Sequence, residues 1–372
     1  MITLPDGRSA GFVSESGAPA PGRLSLVDDE NSASQALRMI ESGQVLLWTG
    51  DYRNGRQLLS AIGRRLNKMA TRPAGNDLWS RWKSERAATR ARGETLGQVL
   101  VLLEPDGELK LRRAPDTRRA VELAWGLSDQ PRVVALNTLV GALGAAEWTS
   151  KGLDVPGLEG RIVPRFGVFS PTRRAYVDLL ENLDVRGRSV LDVGCGTGVL
   201  GFVLLQRGAS HAVGTDCEER AVGCAMDNAT QLGLLGQYQA VRADLFPAEP
   251  EASRFDVIVF NAPWVPETPR TALDRAVFDD NGDTLRSFLR RAPGHLAEGG
   301  VIALMISDLP ERLGLRAPEA LESLMAEEGL AIQSSHSVHA SHRRAKDTDD
   351  PLHEARGAER MQLFVVTPYA AT

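Results

Sequence analysis

From about residue 160 onward, short apolar runs alternate with stretches in which apolar residues recur every third or fourth position. The runs predict strands at 189–193, 211–215, 238–242, 255–260, 300–306, 330–336 and 361–367, because β-rich apolar stretches bounded by turn residues suit buried strands. The intervening periodicity predicts helices over 171–183, 199–207, 218–233, 284–297 and 317–328. Seven strands alternating with helices specify a doubly wound α/β sheet. The final strand follows its predecessor through a polar stretch rather than a helix, so it is expected to run antiparallel.

The first 155 residues are patterned differently. Residues 1–25 are rich in Gly, Pro, Ser and Ala, the composition of a disordered lead-in. Asn31-Ser-Ala-Ser reads as a capped helix start and 44–49 as a strand. Gly55 to Met69 predicts a helix with Leu58, Leu59, Ile62 and Leu66 on one face. Runs at 98–104 and 108–112, separated by Pro105-Asp-Gly107, predict a hairpin, and helices follow at 117–125 and 136–147. A small α+β domain over 26–155 thus precedes an α/β domain over 156–372, as a chain of 372 residues leads one to expect. The first domain carries no catalytic motif, and selection of a substrate is its expected task.

Composition narrows the class. With 42% hydrophobic and 24% charged residues the chain is ordinary globular material, and no apolar run reaches the roughly 20 residues of a membrane helix. The N-terminus lacks a basic stretch followed by an apolar core, so no signal peptide and no membrane partner are expected. Cys195, Cys217 and Cys224 form no Cys-x-x-Cys pair, which suits reduced thiols and a cytoplasmic setting. The net charge of −5 hides a basic segment. Between Arg53 and Arg92, eleven basic residues (Arg72, Arg81, Lys83, Arg86 and Arg90 among them) face only Asp77 and Glu85. With Trp79 and Trp82 interleaved, that segment can contact nucleic acid; a solvated helix face is the plainer alternative.

Candidate chemistry collects at the predicted strand ends. In residues 188–201 a strand containing Val190, Leu191 and Val193 leads into Gly194, Gly196 and Gly198, and then into a helix. Such a turn offers free N–H groups and a positive helix end to a nucleotide-like ligand. Two cofactor classes use it. Gly196-Thr-Gly198-Val-Leu-Gly201 matches the dinucleotide fingerprint, with Asp216 where a ribose acid is wanted, so a nicotinamide-dependent oxidoreductase remains an alternative. Asp192, just ahead of the turn, would repel a pyrophosphate and suits a ligand bearing an ammonium group. Asp216 can accept from ribose hydroxyls, or simply cap the following helix. Asp244 can accept from an exocyclic amine or cap a short turn. The strand from Phe255 ends in Asn261-Ala262-Pro263-Trp264, a polar and aromatic tip that as a bland reading is only a turn. His336, His339 and His342 step by three and share no face, so no metal site is expected.

Taken in order, these motifs resemble a class I S-adenosylmethionine-dependent methyltransferase of the Asn-Pro-Pro-aromatic type, over roughly residues 160–372. The resemblance implies a Rossmann-like sheet, S-adenosylmethionine as cofactor, and N-methylation as the activity. It places Gly194, Cys195, Gly196, Thr197 and Gly198 at the amino-acid end of the cofactor, together with Asp192. Asp216 falls at the ribose, Asp244 with Leu245 at the adenine, and Asn261 also borders the cofactor. Phe166-Gly-Val-Phe169-Ser-Pro171 is similar to the segment that closes over the cofactor in glutamine-N5 and ribosomal RNA guanine-N2 methyltransferases, and 339–357, with Asp349-Asp-Pro-Leu-His353, falls where a substrate loop is placed. The resemblance makes Asn261, Ala262, Pro263 and Trp264 the catalytic tip: the Asn261 oxygen and the Ala262 carbonyl accept from an –NH₂ group while Trp264 stacks on it. Ala262 stands where the family has its first proline, which keeps the carbonyl but loosens the loop. The acceptor stays open among protein, RNA and a small guanidine or amine.

Overall fold

The computed structural model describes residues 1–69, 77–170, 174–248, 254–340, 347–348 and 350–369. The chain divides into two units, 1–150 and 151–372.

The first unit contains β1 (Ile2–Thr3), β2 (Ser9–Val13), β3 (Leu24–Val27), α1 (Ala33–Glu41), β4 (Val45–Trp48), α2 (Tyr52–Met69), α3 (Leu78–Leu96), β5 (Val99–Leu103), α4 (Arg118–Trp125), β6 (Arg132–Ala135) and α5 (Leu136–Lys151). Its sheet runs β1-β2-β6-β5-β4-β3, with β3, β4 and β5 parallel to one another. Alternate residues of the strands face opposite ways, so Leu46 and Val99 join one core while Leu47 and Leu100 join another. That second face explains why residues 1–25 are not a disordered lead-in. Ile2, Leu4 and Ala10 are buried against Leu24, Leu47 and Leu100, and β2 pairs with β6. The expected hairpin at 98–112 also fails to form. Glu104 and Glu108 close the turn with a 2.9 Å hydrogen bond, but β4 and β6 already flank β5. A third strand has no free edge there. Helix α3 escapes the periodicity reading because it buries only Trp82; Asp77 caps it by accepting from the Ser80 N–H at 2.8 Å.

The second unit contains β7 (Leu153–Asp154), β8 (Arg161–Ile162), α6 (Arg174–Leu180), β9 (Ser189–Val193), α7 (Val199–Gln206), β10 (His211–Asp216), α8 (Glu219–Gln231), β11 (Tyr238–Arg242), β12 (Phe255–Asn261), α9 (Ala272–Arg275), α10 (Asp283–Arg291), β13 (Leu296–Ser307), α11 (Leu309–Arg312), α12 (Ala320–Glu327), β14 (Leu330–His339), α13 (His353–Ala358) and β15 (Arg360–Pro368). Its seven-stranded sheet has the order β11-β10-β9-β12-β13-β15-β14. Strand β15 runs antiparallel to both neighbours, as expected, yet lies inside the sheet rather than at its edge. Both faces are covered. Val190, Val257 and Val259 point into one core, and Leu191, Ile258 and Phe260 into the other. Strand β9 sits centrally, with β10 on one side and β12 on the other, so strand order reverses beside it. In open α/β sheets ligands bind at the carboxyl ends of the strands flanking such a reversal. No helix among the described residues is long and apolar enough to cross a membrane.

Phe288 on α10 is fully buried, 4.5 Å from the Phe260 ring and 5.6 Å from that of Phe246. Phe288→Ala should destabilise the second unit by roughly 3–5 kcal/mol, read as a shift of its urea midpoint. A loss below about 1 kcal/mol would mean that this core is not close-packed.

Candidate active site

The sheet register brings the expected site residues to one level. Val193 pairs with Thr215 of β10 and with Phe260 of β12. The next residue on each strand is therefore Asp216, Gly194 and Asn261, side by side. With strands about 4.8 Å apart, Asp216 and Asn261 stand roughly 10 Å apart across the glycine turn.

The turn has a backbone only glycine adopts readily. Gly196 has φ +53°, and a Cβ there would lie 2.9 Å from the Phe169 carbonyl oxygen. Phe169 thus lies directly over the turn. Gly198 has φ +85°, and its Cβ would strike the Phe202 ring at 2.4 Å. Helix α7, apolar on all sides and buried, starts immediately after it.

The three acids are placed differently from one another. Asp192, expected to meet a ligand ammonium, is fully buried beneath the turn. Its Oδ2 accepts the Gly201 N–H at 3.0 Å and so ties α7 to β9; only Oδ1 is without a partner. Burial pushes its carboxyl up to about 7, the nearby Asp216 charge adds to this, and the Gly201 N–H opposes it. Asp216 is half-exposed and holds the backbone on two sides, the helix start among them. Its Oδ1 accepts the Glu218 N–H at 3.0 Å, holding the start of α8, and its Oδ2 accepts the Gly196 N–H at 3.1 Å. Burial raises its pKa while these two N–H donors lower it. Each oxygen keeps a second lone pair for another donor. Asp244 is exposed, and its carboxylate has no hydrogen bond among the described residues. Beside it Leu245 has φ +64°, a left-handed conformation costing about 1–2 kcal/mol, held by a 2.6 Å bond from the Thr215 hydroxyl to its carbonyl.

Beneath the turn, Cys195 and Thr197 are buried, and the Cys195 N–H donates to the Thr215 carbonyl at 2.8 Å. Burial holds the Cys195 thiol well above its ordinary pKa, so it is inert as a nucleophile. All three cysteines are free.

At the end of β12, Asn261 is half-buried and its amide has no partner among the described residues. Ala262 is buried, and its N–H donates to the Met305 carbonyl at 3.0 Å, which pins the tip to β13. The Ala262 carbonyl accepts no hydrogen bond among the described residues. Pro263 is buried; Trp264 is half-buried against the core, and its backbone N–H reaches the Val277 carbonyl at 3.1 Å. The bond to β13 and this second bond supply the rigidity that the missing proline would have given.

Asn228 was missed by the sequence reading. Fully buried on α8, it accepts the Val163 N–H at 2.7 Å and donates to the Thr197 carbonyl at 3.1 Å. It therefore clamps the segment leading to Phe169 onto the glycine turn. The signal was present: Asn228 falls on the face of α8 otherwise made by Ala221, Cys224, Ala225 and Ala229. Arg220, donating to the Phe166 carbonyl at 3.2 Å, holds the same segment.

Among the described residues no cluster could hold a metal ion. Pro171, His342 and Asp349 lie outside the described residues. Asp350 instead forms a buried ion pair with Arg356. In the first unit, Trp82 is buried and stacks on Trp79 at 5.7 Å, so that pair is not presented as the basic segment suggested; Arg72 lies outside the described residues.

Residues 159–327 match the family model of the methyltransferase small domain. A Methanocaldococcus jannaschii protein provisionally named a protein N5-glutamine methyltransferase is 29% identical over 163 residues, 42% of this chain and 80% of its own length. The release factor glutamine methyltransferase of Cereibacter sphaeroides is 33% identical, over 38% of this chain and 52% of that protein. Ribosomal protein L11 methyltransferase of Escherichia coli is 35% identical, over 24% of this chain and 30% of its own. A solved ribosomal protein L11 methylase from Lactobacillus delbrueckii is similar at TM-score 0.38 and 18% identity, over 57% of this chain and 82% of that one; strand order, not that score, defines the fold here. Within the second unit, residues 159–327 are thus similar to the methyltransferase small domain, a class I domain whose cofactor is S-adenosylmethionine. The family match leaves the first unit outside it.

Asp192 yields a pH prediction. A carboxyl raised on folding binds a proton in the folded state that the unfolded chain has lost. Its contribution is full below about pH 4 and is lost as the pH rises through about 7. From pH 5 to pH 8.5, the stability difference between Asp192→Asn and wild type should move in the variant's favour by a few kcal/mol, on the order of 1.4 for each tenfold change in proton affinity. Urea midpoints across that range measure it, and a flat difference would contradict the buried placement.

Proposed function

We propose that this protein is an S-adenosylmethionine-dependent N-methyltransferase whose acceptor nitrogen belongs to a planar amide or amine, on a protein glutamine or an RNA base. The observation carrying this reading is a pair of acceptors with no partner among the described residues at the end of β12, the Asn261 amide oxygen and the Ala262 carbonyl, level with the glycine turn.

The residues present fit the cofactor. The turn from Gly194 to Gly198 is bare of side chains at its three glycines, and Asp216 and Asp244 keep acceptor capacity beside it. In this reading the turn receives the amino-acid end, Asp216 the ribose hydroxyls, and Asp244 the adenine amine. The buried Asp192 supports the turn from below rather than touching the ligand directly. When bound, the cofactor supplies an electrophilic methyl group on a sulfonium. Asn261 and Ala262 accept the two N–H bonds of the acceptor and aim its lone pair at that methyl. Trp264 offers a face to the flat group and to the positive charge that grows on its nitrogen. Positioning and electrostatics do most of the work, and the surplus proton leaves to water once nitrogen has become cationic. The names of the first two relatives support an amide nitrogen as acceptor.

Asn261→Ala should lower kcat at least about 100-fold while leaving affinity for S-adenosylhomocysteine within about threefold, because only the acceptor side is cut back. Incorporation of labelled methyl and calorimetric titration separate the two quantities. Normal turnover by this variant would overturn the acceptor site. Label entering only small metabolites would move the acceptor to a free guanidine or amine. In a thermal-shift assay, stabilisation by NADH and not by S-adenosylhomocysteine would restore the oxidoreductase reading.

A further inference from the structure

We infer that the first unit binds the phosphodiester backbone of single-stranded RNA in a groove along α2. That bound RNA contains the acceptor base rests on the proposed methyl transfer; the binding does not.

The groove has a volume of about 850 Å³, and Asn31, Trp48, Arg53, Arg56, Gln57 and Arg64 contribute to its lining. It lies where the parallel strands β3 and β4 end and α1 and α2 begin, the end of a parallel sheet at which ligands collect. Its charge is one-sided. The two acids at its head are already neutralised: Arg112 meets Asp29 at 2.5 Å and Arg113 meets Asp51 at 2.6 Å. Arg53, Arg56 and Arg64 are exposed and form no ion pair among the described residues; Arg56 spends one hydrogen bond on the Tyr52 hydroxyl and keeps its charge. An anion entering the groove therefore meets unspent positive charge and little repulsion.

The spacing selects an extended anion. Arg53, Arg56 and Arg64, with Gln57 and Ser60 between them, share one face of α2. At 1.5 Å per residue they span about 16 Å, too far for one phosphate and suited to several along a strand. Guanidinium groups pair with phosphate and with carboxylate oxygens alike, so a polycarboxylate is the competitor against which a phosphodiester must be measured. The mode of recognition follows too. The Trp48 indole is buried and donates to the Asp51 carbonyl at 3.1 Å, so it offers no face for base stacking. Binding should track the backbone and be largely indifferent to sequence.

The test is fluorescence anisotropy of a labelled single-stranded oligoribonucleotide of about 20 nucleotides with the full chain, across a salt series, without cofactor. The triple variant R53A/R56A/R64A should weaken binding at least about tenfold and reduce the slope of log K against log salt by about 2, as three lost phosphate contacts require. R53K/R56K/R64K should keep most of the slope. The control K110A/R118A/R119A removes the same charge from exposed positions elsewhere on the unit and should change affinity less than about threefold. Circular dichroism checks that each variant is folded. No binding by wild type, an equal loss in the control, or equal binding of poly-glutamate would overturn the groove. Asn261→Ala should bind RNA normally while losing methyl transfer, so failure of the groove and failure of the acceptor site give different results.

Discussion

The 3.1 Å hydrogen bond from the Gly196 N–H to Asp216 joins the end of β10 to the turn after β9, and the geometry of the site follows from it. A turn of three left-handed glycines has few side chains with which to hold itself. It is stiff only because its neighbours hold it: Asp216 from the side, Asn228 through the Thr197 carbonyl, and Asp192 through the first turn of α7. The same oxygens that brace the turn border the space beside it. Positioning here is therefore built from backbone donors, which cannot change rotamer, rather than from long side chains.

The acids divide their labour by depth. Asp192 is the most buried and the most perturbed, and it serves the fold. Asp244 is the most exposed and serves nothing else within the described chain. Asp216 lies between them, bracing the backbone while each of its oxygens keeps a second lone pair. Depth sets this ranking because each ångström of burial removes water that would otherwise satisfy a carboxylate, and the fold must then supply N–H groups in its place.

The two units solve different problems with related means. Both carry a largely parallel core whose strand ends receive helices. The second unit has a glycine turn with a polar tip across from it. The first has an arginine-lined groove and, among the described residues, no comparable turn. The pronounced basic segment of the first unit sets it apart in an otherwise acidic chain.

Hydrophobic patterning alone was enough for the seven-stranded sheet, because a strand covered on both faces must be apolar nearly throughout. The glycine turn was equally legible, since its backbone needs glycine at fixed positions, and so was the place of Asn261 at the end of β12. Three things were settled only by tertiary packing. Residues 1–25 read as disordered by composition, yet Ile2, Leu4 and Ala10 close an open sheet face that lies far along the chain. Residues 108–112 read as a strand, yet both edges of β5 were already taken. The role of Asp192 depended on depth, which no local pattern encodes: in sequence it sits beside the turn, and in the fold it lies beneath it. Local order determines which groups a segment can offer. The long-range contacts decide which of them still face a ligand.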